Sequence, residues 1–196
     1  MSAAPKSSEE PVYPDFADLY VRHQRAILAY TSRRTASSAD AEDAAAETFI
    51  IAWRRLASAP VEPLPWLYGI ARRVLANQRR AGDRRVRLML SIRSQPQDVP
   101  TPDALAPQGP AVVALGSLRT DDQEVLRLVA WEGLRHAEIA VVLGISVNAV
   151  GIRLYRARDR FAKEFDRVTL KGSGADRTSH QVKGRPFGRR RQEDES

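Results

Sequence analysis

No cysteine occurs in the 196 residues, so a disulfide scaffold, a thiolate zinc site and thiol catalysis are all excluded. Histidine is nearly as scarce: His23, His136 and His180 stand far apart and offer no metal-ligand spacing. No run approaches the roughly 18–20 apolar residues of a membrane span. The N-terminal MSAAPKSSEEP also lacks the apolar stretch of a secretory signal. A soluble, cytoplasmic protein is the expectation. Missing too are a glycine-rich phosphate loop, a nucleophile elbow and any locally spaced His–carboxylate–nucleophile set. No metal, cofactor or catalytic group is indicated, and combined with two small helical blocks on a proline linker this argues against an enzyme.

Positive charge is what the chain has in quantity. Lys and Arg number 31 against 24 Asp and Glu, a formal net charge of +7 that is mostly arginine. Such a balance favours an acidic polymer or surface as partner and says nothing of fold. Residues 13–90 hold 13 basic and 8 acidic side chains, so most of the excess lies in this first block.

The apolar residues recur at helical spacing in two blocks. After a small, polar arm (1–12), Phe16, Leu19, Tyr20, His23, Ile27 and Tyr30 share one face of a first helix. The acidic Asp40, Glu42 and Asp43 suit the positive end of a second helix. Its apolar stripe is expected to run through Ala44, Ala45, Phe49, Ile50, Trp53 and Leu56. Three prolines between Ala57 and Pro65 predict a loop, with Pro65 opening a helix from Trp66 to about Arg80. Trp66 beside Arg72, Arg73, Arg79 and Arg80 has the composition of a single-strand binder, in which rings stack on bases and arginines follow phosphate. Core packing competes for Trp53 and Trp66, and is expected to claim at least one of them. Residues 91–111, with five prolines, read as an extended linker.

In the second block (112–168), Thr120-Asp-Asp-Gln123 has the spacing of a capping box, with Gln123 reaching back to the Thr120 amide. Trp131–Phe165 then reads as two helices about a tight turn. Ala137, Ile139, Ala140, Val142 and Leu143 fill the first, Gly144 ends it, and Ser146 caps the second. Val147, Val150, Leu154, Ala157 and Phe161 form the seam of that second helix, with Arg153, Arg156, Arg158 and Arg160 around it. Helix, glycine turn and basic second helix make the helix-turn-helix pattern, whose second helix enters the major groove. An ordinary helical corner with a solvated arginine face is the competing reading. Residues 169–196, rich in glycine and charge, read as a disordered basic tail. The expected fold is therefore all-α: two small helical domains joined by a Pro-rich linker.

These motifs, in this order, resemble the bacterial RNA polymerase sigma factors of the sigma-70 family. Phe16-Ala-Asp-Leu-Tyr20, Asp40-Ala-Glu-Asp43, Glu47-Thr-Phe49, Ala52-Trp53-Arg54 and Trp66-Leu-Tyr-Gly-Ile-Ala71-Arg72 are similar to region 2. Gln123-Glu-Val-Leu126, Glu132-Gly-Leu134, Glu138-Ile-Ala140, Leu143-Gly-Ile145 and Arg153-Leu-Tyr-Arg-Ala-Arg158 are similar to region 4. Two regions with only a linker between them resemble the extracytoplasmic-function group. The resemblance implies core RNA polymerase and promoter DNA as partners, and an anti-sigma factor as a further one. It implies that Asp40, Glu42, Asp43 and Glu47 dock on the clamp helices of the largest polymerase subunit. Trp66, Arg72, Arg73, Asn77 and Arg80 would capture the unpaired minus-ten element. Ser146, Val147, Asn148, Gly151, Ile152, Arg153, Tyr155 and Arg156 would face the duplex minus-thirty-five element.

Four positions depart from the family's pattern. Arg73 stands where many relatives carry Asn. Gly151 and Ile152 stand where Lys or Arg and then Ser are usual. Arg135 replaces a frequent capping Ser. The expectation is that region 4 positions itself on phosphates more than it reads bases. The rival function is a self-sufficient helix-turn-helix regulator on duplex operators, which would have no use for a strand-capturing first block.

Overall fold

The computed structural model describes residues 15–92 and 109–175. The arm 1–12, most of the expected linker and most of the expected tail, including Arg189–Arg191, lie outside the described residues. Seven α-helices make up the described chain: α1 (Phe16–Ser32), α2 (Ser38–Arg54), α3 (Pro63–Ile92), α4 (Pro110–Gly116), α5 (Thr120–Ala130), α6 (His136–Leu143) and α7 (Val147–Ala175). No strand occurs among the described residues.

α1 to α3 form the first bundle. Asp15 caps α1 by accepting the Ala17 amide, and Leu19, Ile27 and Tyr30 are buried from it. Ser37 caps α2, its hydroxyl accepting the Asp40 amide at 3.1 Å. The helix thus begins ahead of the acidic cluster, and no carboxylate is needed to end the chain of open amides. Its buried stripe is Ala41, Ala44, Ala45, Thr48, Phe49 and Ala52. Ile50 and Trp53, expected on that stripe, are exposed instead, at 48% and 62%. The small residues Ala41, Ala44 and Ala52 let α2 approach its neighbours closely, and the helix is rotated accordingly. Trp66 is half-buried against the core, so packing claims that tryptophan and leaves Trp53 free.

α3 begins at Pro63, two residues before the expected Pro65, after a single 3-10 turn at Leu56–Ser58. Both prolines fall in the first turn, where a missing N–H costs no hydrogen bond. The helix also continues past the expected end near Arg80 to Ile92.

α4 to α7 form the second unit. Ala114 and Leu118, then Val125, Leu128, Ile139, Val142, Val150, Leu154 and Ala157, are buried. Gln123 does not close a capping box. Arg119 is the N-cap of α5, and the Gln123 amide donates to the Leu118 carbonyl at 2.9 Å and the Gly116 carbonyl at 3.2 Å, tying α5 to the end of α4. α7 runs to Ala175, beyond the expected boundary at 168. Arg160 donates to the buried Asp122 at 2.6 Å and so pins α7 to the first turn of α5.

The two units pack against each other through α3 and α6. A methyl group placed on Gly69 would lie 3.6 Å from the Val142 carbonyl oxygen, so the two helix backbones are in direct apposition there.

Candidate nucleic-acid interface

The helix-turn-helix is built as its residues dictate. Gly144 takes φ 66° and ψ 38° at the end of α6, a conformation that any residue with a Cβ adopts at a cost. The Gly144 and Ile145 amides both return to the Ala140 carbonyl, at 2.9 and 3.2 Å. Ser146 then caps α7 by accepting the Ala149 amide at 3.2 Å. The bend between α6 and α7 is 97°, within the range of the motif. Arg135, at the start of α6, has no oxygen to accept an amide. The Glu138 carboxylate supplies the other half of the cap, accepting the Arg135 backbone amide at 2.7 Å and its guanidinium at 3.2 Å. Those hydrogen bonds, from the side chain first and the backbone second, hold Glu138 below the usual carboxylate range.

With Val150, Leu154 and Ala157 turned into the core, the other side of α7 is presented outward. Ser146, Val147, Asn148, Ile152, Tyr155 and Arg156 are exposed, and Gly151 and Arg153 half-buried. Tyr155 is more open than Val147 or Ile152, at 77%. Ile152, Arg153, Arg156 and Arg160 also line a shallow groove with Arg119, Thr120, Asp121 and Asp122. Asp122 is already engaged by Arg160, so Arg119, Arg153 and Arg156 supply the groove's uncommitted positive charge.

On α3, positions 66, 73, 77 and 80 fall along one stripe at about 100° per residue. Arg73, Asn77 and Arg80 are exposed on it. Arg80 is steadied by the Asn77 side-chain oxygen at 2.7 Å and the Ala76 carbonyl at 3.2 Å. Arg72 is not on this stripe. It lies half-buried, 3.8 Å from Asp121 of the second unit, while Arg79 donates to the Arg34 carbonyl at 3.2 Å.

On α2, Asp40, Glu42, Asp43 and Glu47 are all exposed. None of them forms an ion pair among the described residues. They share the outer side of α2 with Ile50 and Trp53, giving an acidic face with two large apolar side chains in it. Tyr20 stacks edge-on against Phe49 at 4.8 Å beside it.

One cluster that the fold assembles has no local signature in the chain. Arg34, at the end of α1, donates to Glu124 Oε2 at 3.0 Å, to Glu132 Oε1 at 3.0 Å and to the Tyr30 carbonyl at 3.1 Å. The Tyr30 hydroxyl donates to Glu124 Oε1 at 2.7 Å, and Arg33 also pairs with Glu132. The Arg34 guanidinium lies 3.6 Å from the Tyr30 ring centroid. Burial works against the Arg34 charge, but Tyr30 and the two carboxylates outweigh it and raise its pKa. Burial, followed by the Glu124 charge, pushes the Tyr30 phenol well above its ordinary value. These partners are about 90 or more positions apart in sequence, beyond any local pattern.

Comparison with known proteins agrees with this arrangement. The Sigma-70 region 2 family matches residues 19–85, and Sigma-70, region 4 matches residues 111–161. The chain is 33% identical over 145 residues to the probable RNA polymerase sigma factor RfaY of Xanthomonas campestris, covering 69% of this chain but only 36% of RfaY. It is 30% identical over 155 residues to the RNA polymerase sigma factor NccH of Alcaligenes xylosoxydans xylosoxydans, covering 73% of this chain and 82% of NccH. With the ECF RNA polymerase sigma factor SigL of Mycobacterium tuberculosis the identity is 27%, over 81% of this chain and 90% of SigL. In fold it is similar to the sigma factor RpoE of Bartonella quintana, solved in complex with the anti-sigma factor NepR. That match has a TM-score of 0.59 and 22% identity, over 78% of this chain and 97% of RpoE. Both regions are thus present, in family order, on a chain that is similar to a relative across most of its length: this protein belongs to the sigma-70 family of RNA polymerase sigma factors, in the extracytoplasmic-function group.

Proposed function

We propose that the chain is a promoter-specificity subunit that joins core RNA polymerase, brings it to promoters and has no active site of its own. Residues 13–90 act as region 2 and residues 112–168 as region 4, joined by the linker 91–111. The observation that carries this reading is the α2 face. Four exposed carboxylates flank the exposed Ile50 and Trp53, and Ser37 has already met the helix's capping need. An acidic surface with a solvent-facing tryptophan is ill suited to a DNA-contacting role and well suited to a protein partner. The core polymerase clamp is that partner.

Trp66, Arg73, Asn77 and Arg80 take up the displaced strand of the minus-ten element, the ring offering a stacking surface and the guanidinium groups phosphate contacts. Arg72 joins them once it is released from Asp121. The outward side of α7 lies in the major groove of the minus-thirty-five element. There Asn148, Tyr155 and Arg156 are the polar contacts, and Ile152 offers only an apolar one, such as a thymine methyl. The polymerase supplies the chemistry. The working place is the cytoplasm, and an anti-sigma protein, as in the RpoE–NepR complex, is a further partner. No single helix among the described residues is long and apolar enough to cross a membrane. A stand-alone operator-binding regulator is not favoured, because region 2 would then be idle.

The test is co-purification with core polymerase, followed by transcription from a promoter library. Retention of core by the wild type, and its loss on Trp53→Ala with Glu47→Lys, supports the reading. A wild-type protein that retains no core polymerase overturns it.

A further inference from the structure

The arginines differ in what they are tied to. Arg33, Arg34 and Arg160 each lie against a carboxylate. On α3, Arg72, Arg73, Arg79 and Arg80 have no such partner close by. Arg73 makes no ion pair among the described residues. Arg80 meets only the neutral oxygens of Asn77 and Ala76, and Arg79 only the Arg34 carbonyl. Arg72 stands 3.8 Å from Asp121, whose side chain is 64% exposed. That distance is too long for a hydrogen bond.

Helix geometry sets these four around one small residue. At about 100° per residue, Arg72 and Arg79 fall on one side of Ala76, and Arg73 and Arg80 on the other. The two pairs are staggered along about 12 Å of the axis, at about 1.5 Å per residue. All four line a cleft of about 230 Å³, and Thr120, Asp121 and Glu124 of α5 line it as well. Ala76 is also in the lining, and its single methyl leaves the space between the guanidinium groups open.

The charge in this cleft is one-sided. Glu124 is already engaged by Tyr30 and Arg34, so Asp121 alone opposes the four guanidinium groups. These stand within about one Debye length of each other, about 10 Å at 0.1 M salt, and repel. Arg127 feels the same surplus. Its Nε is buried without a hydrogen-bond partner, and its pKa is lowered by burial first and then by the Arg34 and Arg79 charges. The start of α5 adds to the field, because no side-chain hydrogen bond from Arg119 caps its first turn.

Such a cleft selects by charge density and size. Guanidinium forks bind phosphate oxygens in pairs, and two staggered pairs match an anion with charge at both ends. The volume is below the about 300–1,000 Å³ of sites for drug-sized ligands, so a phosphate chain fits where a base or a duplex does not. We propose that the cleft between α3 and α5 binds a linear oligophosphate, free or as the phosphate tail of a nucleoside, through Arg72, Arg73, Arg79 and Arg80. On the sigma-factor reading given above, Arg72, Arg73 and Arg80 also serve the minus-ten strand, so a bound anion withholds them from it.

The test is isothermal titration calorimetry of the full chain at fixed ionic strength, with inorganic tripolyphosphate, ATP and orthophosphate as probes and no divalent cation. Tripolyphosphate and ATP should bind one to one, at least about tenfold more tightly than orthophosphate. Arg72→Gln with Arg79→Gln should weaken tripolyphosphate at least about tenfold. Ala76→Glu, which fills the space with a carboxylate, should do the same. Arg153→Gln with Arg156→Gln removes equal charge from α7 and should change the affinity less than about twofold. Circular dichroism verifies that each variant keeps its helices. Tighter binding of ATP than of tripolyphosphate makes a nucleoside tail the occupant, and the reverse order makes it a free phosphate chain. Equal weakening by the two double variants means an adventitious ion only and overturns the site, as does the absence of one-to-one binding. Retention of core polymerase by the same wild-type preparation tests the sigma-factor reading by itself, so either can fail without the other.

Discussion

Arg160 is, in the sequence, one of four arginines around the α7 seam, but the structure gives it a task of its own that a stability measurement isolates. Its guanidinium meets Asp122 at 2.6 Å. The Asp122 side chain is 6% exposed and that of Arg160 45%. Removing the arginine leaves a nearly buried carboxylate without its cation. A fully buried pair broken in this way costs about 3–5 kcal/mol, whereas an exposed one is worth at most about 1 kcal/mol. Half-exposure of Arg160 lets water replace part of what is lost, so Arg160→Met should destabilise the chain by about 2 kcal/mol. Asp122→Asn should cost less, because the amide is neutral and still accepts from Arg160. In the double variant the two losses overlap, and the coupling should be about 1 kcal/mol or more. Arg158→Ala, exposed and without an ion pair among the described residues, is the control and should stay within about 0.5 kcal/mol of wild type. Urea unfolding followed by helix circular dichroism reads all four. Additivity of Asp122→Asn and Arg160→Met to within about 0.3 kcal/mol would refute the assignment.

Four further outcomes are expected. Gly144→Ala, at φ 66° with nothing near its added methyl, should lose about 1–2 kcal/mol from the backbone alone, read in the same urea assay. Gly151→Ala, in mid-helix and equally uncrowded, should gain about 0.5–1 kcal/mol. Arg156→Ala should weaken duplex binding about equally for all upstream sequences and lower the salt slope by about one, as seen in a titration series against varied minus-thirty-five sites; a loss confined to one base pair contradicts phosphate positioning. His23 has a pKa lowered by burial and then by Arg22, so the folded protein binds fewer protons than the unfolded chain. Stability from this group is full above pH 6.5 and falls as the pH drops through the folded value, and His23→Asn should remove that part of the slope in a pH series of melts.

Two helical units and the turn at Gly144 were legible in the sequence because each depends on local chemistry. A 3.6-residue period, a serine hydroxyl at a helix start and a glycine at a helix end all act over a few residues. The face of α2 is legible only in part, for the opposite reason. Ala44, Ala45 and Phe49 are buried as the pattern predicts, but the large Ile50 and Trp53 are exposed while Ala41 and Ala52 are buried. Close approach to α1 and α3 favours small side chains, and pattern alone ranks size above fit. Spacing predicts a capping box at Gln123, but its side-chain amide donates to the carbonyls of Gly116 and Leu118, which only the fold brings within reach. The Arg34 cluster could not be seen at all, since each of its partners is an ordinary charged residue until the two halves meet.

The bend at Gly144 has an effect on binding strength as well as on shape. Because α6 takes the contact with α3 and α7 turns 97° away, Tyr155, Arg156 and Asn148 remain open to solvent although the two units are packed together. A duplex can therefore reach α7 without disturbing the α3–α6 contact. Two linked modules that hold one molecule at once gain about 10²–10⁴ in avidity over either alone, so the turn lets a modest contact on α7 add to any contact made elsewhere on the chain.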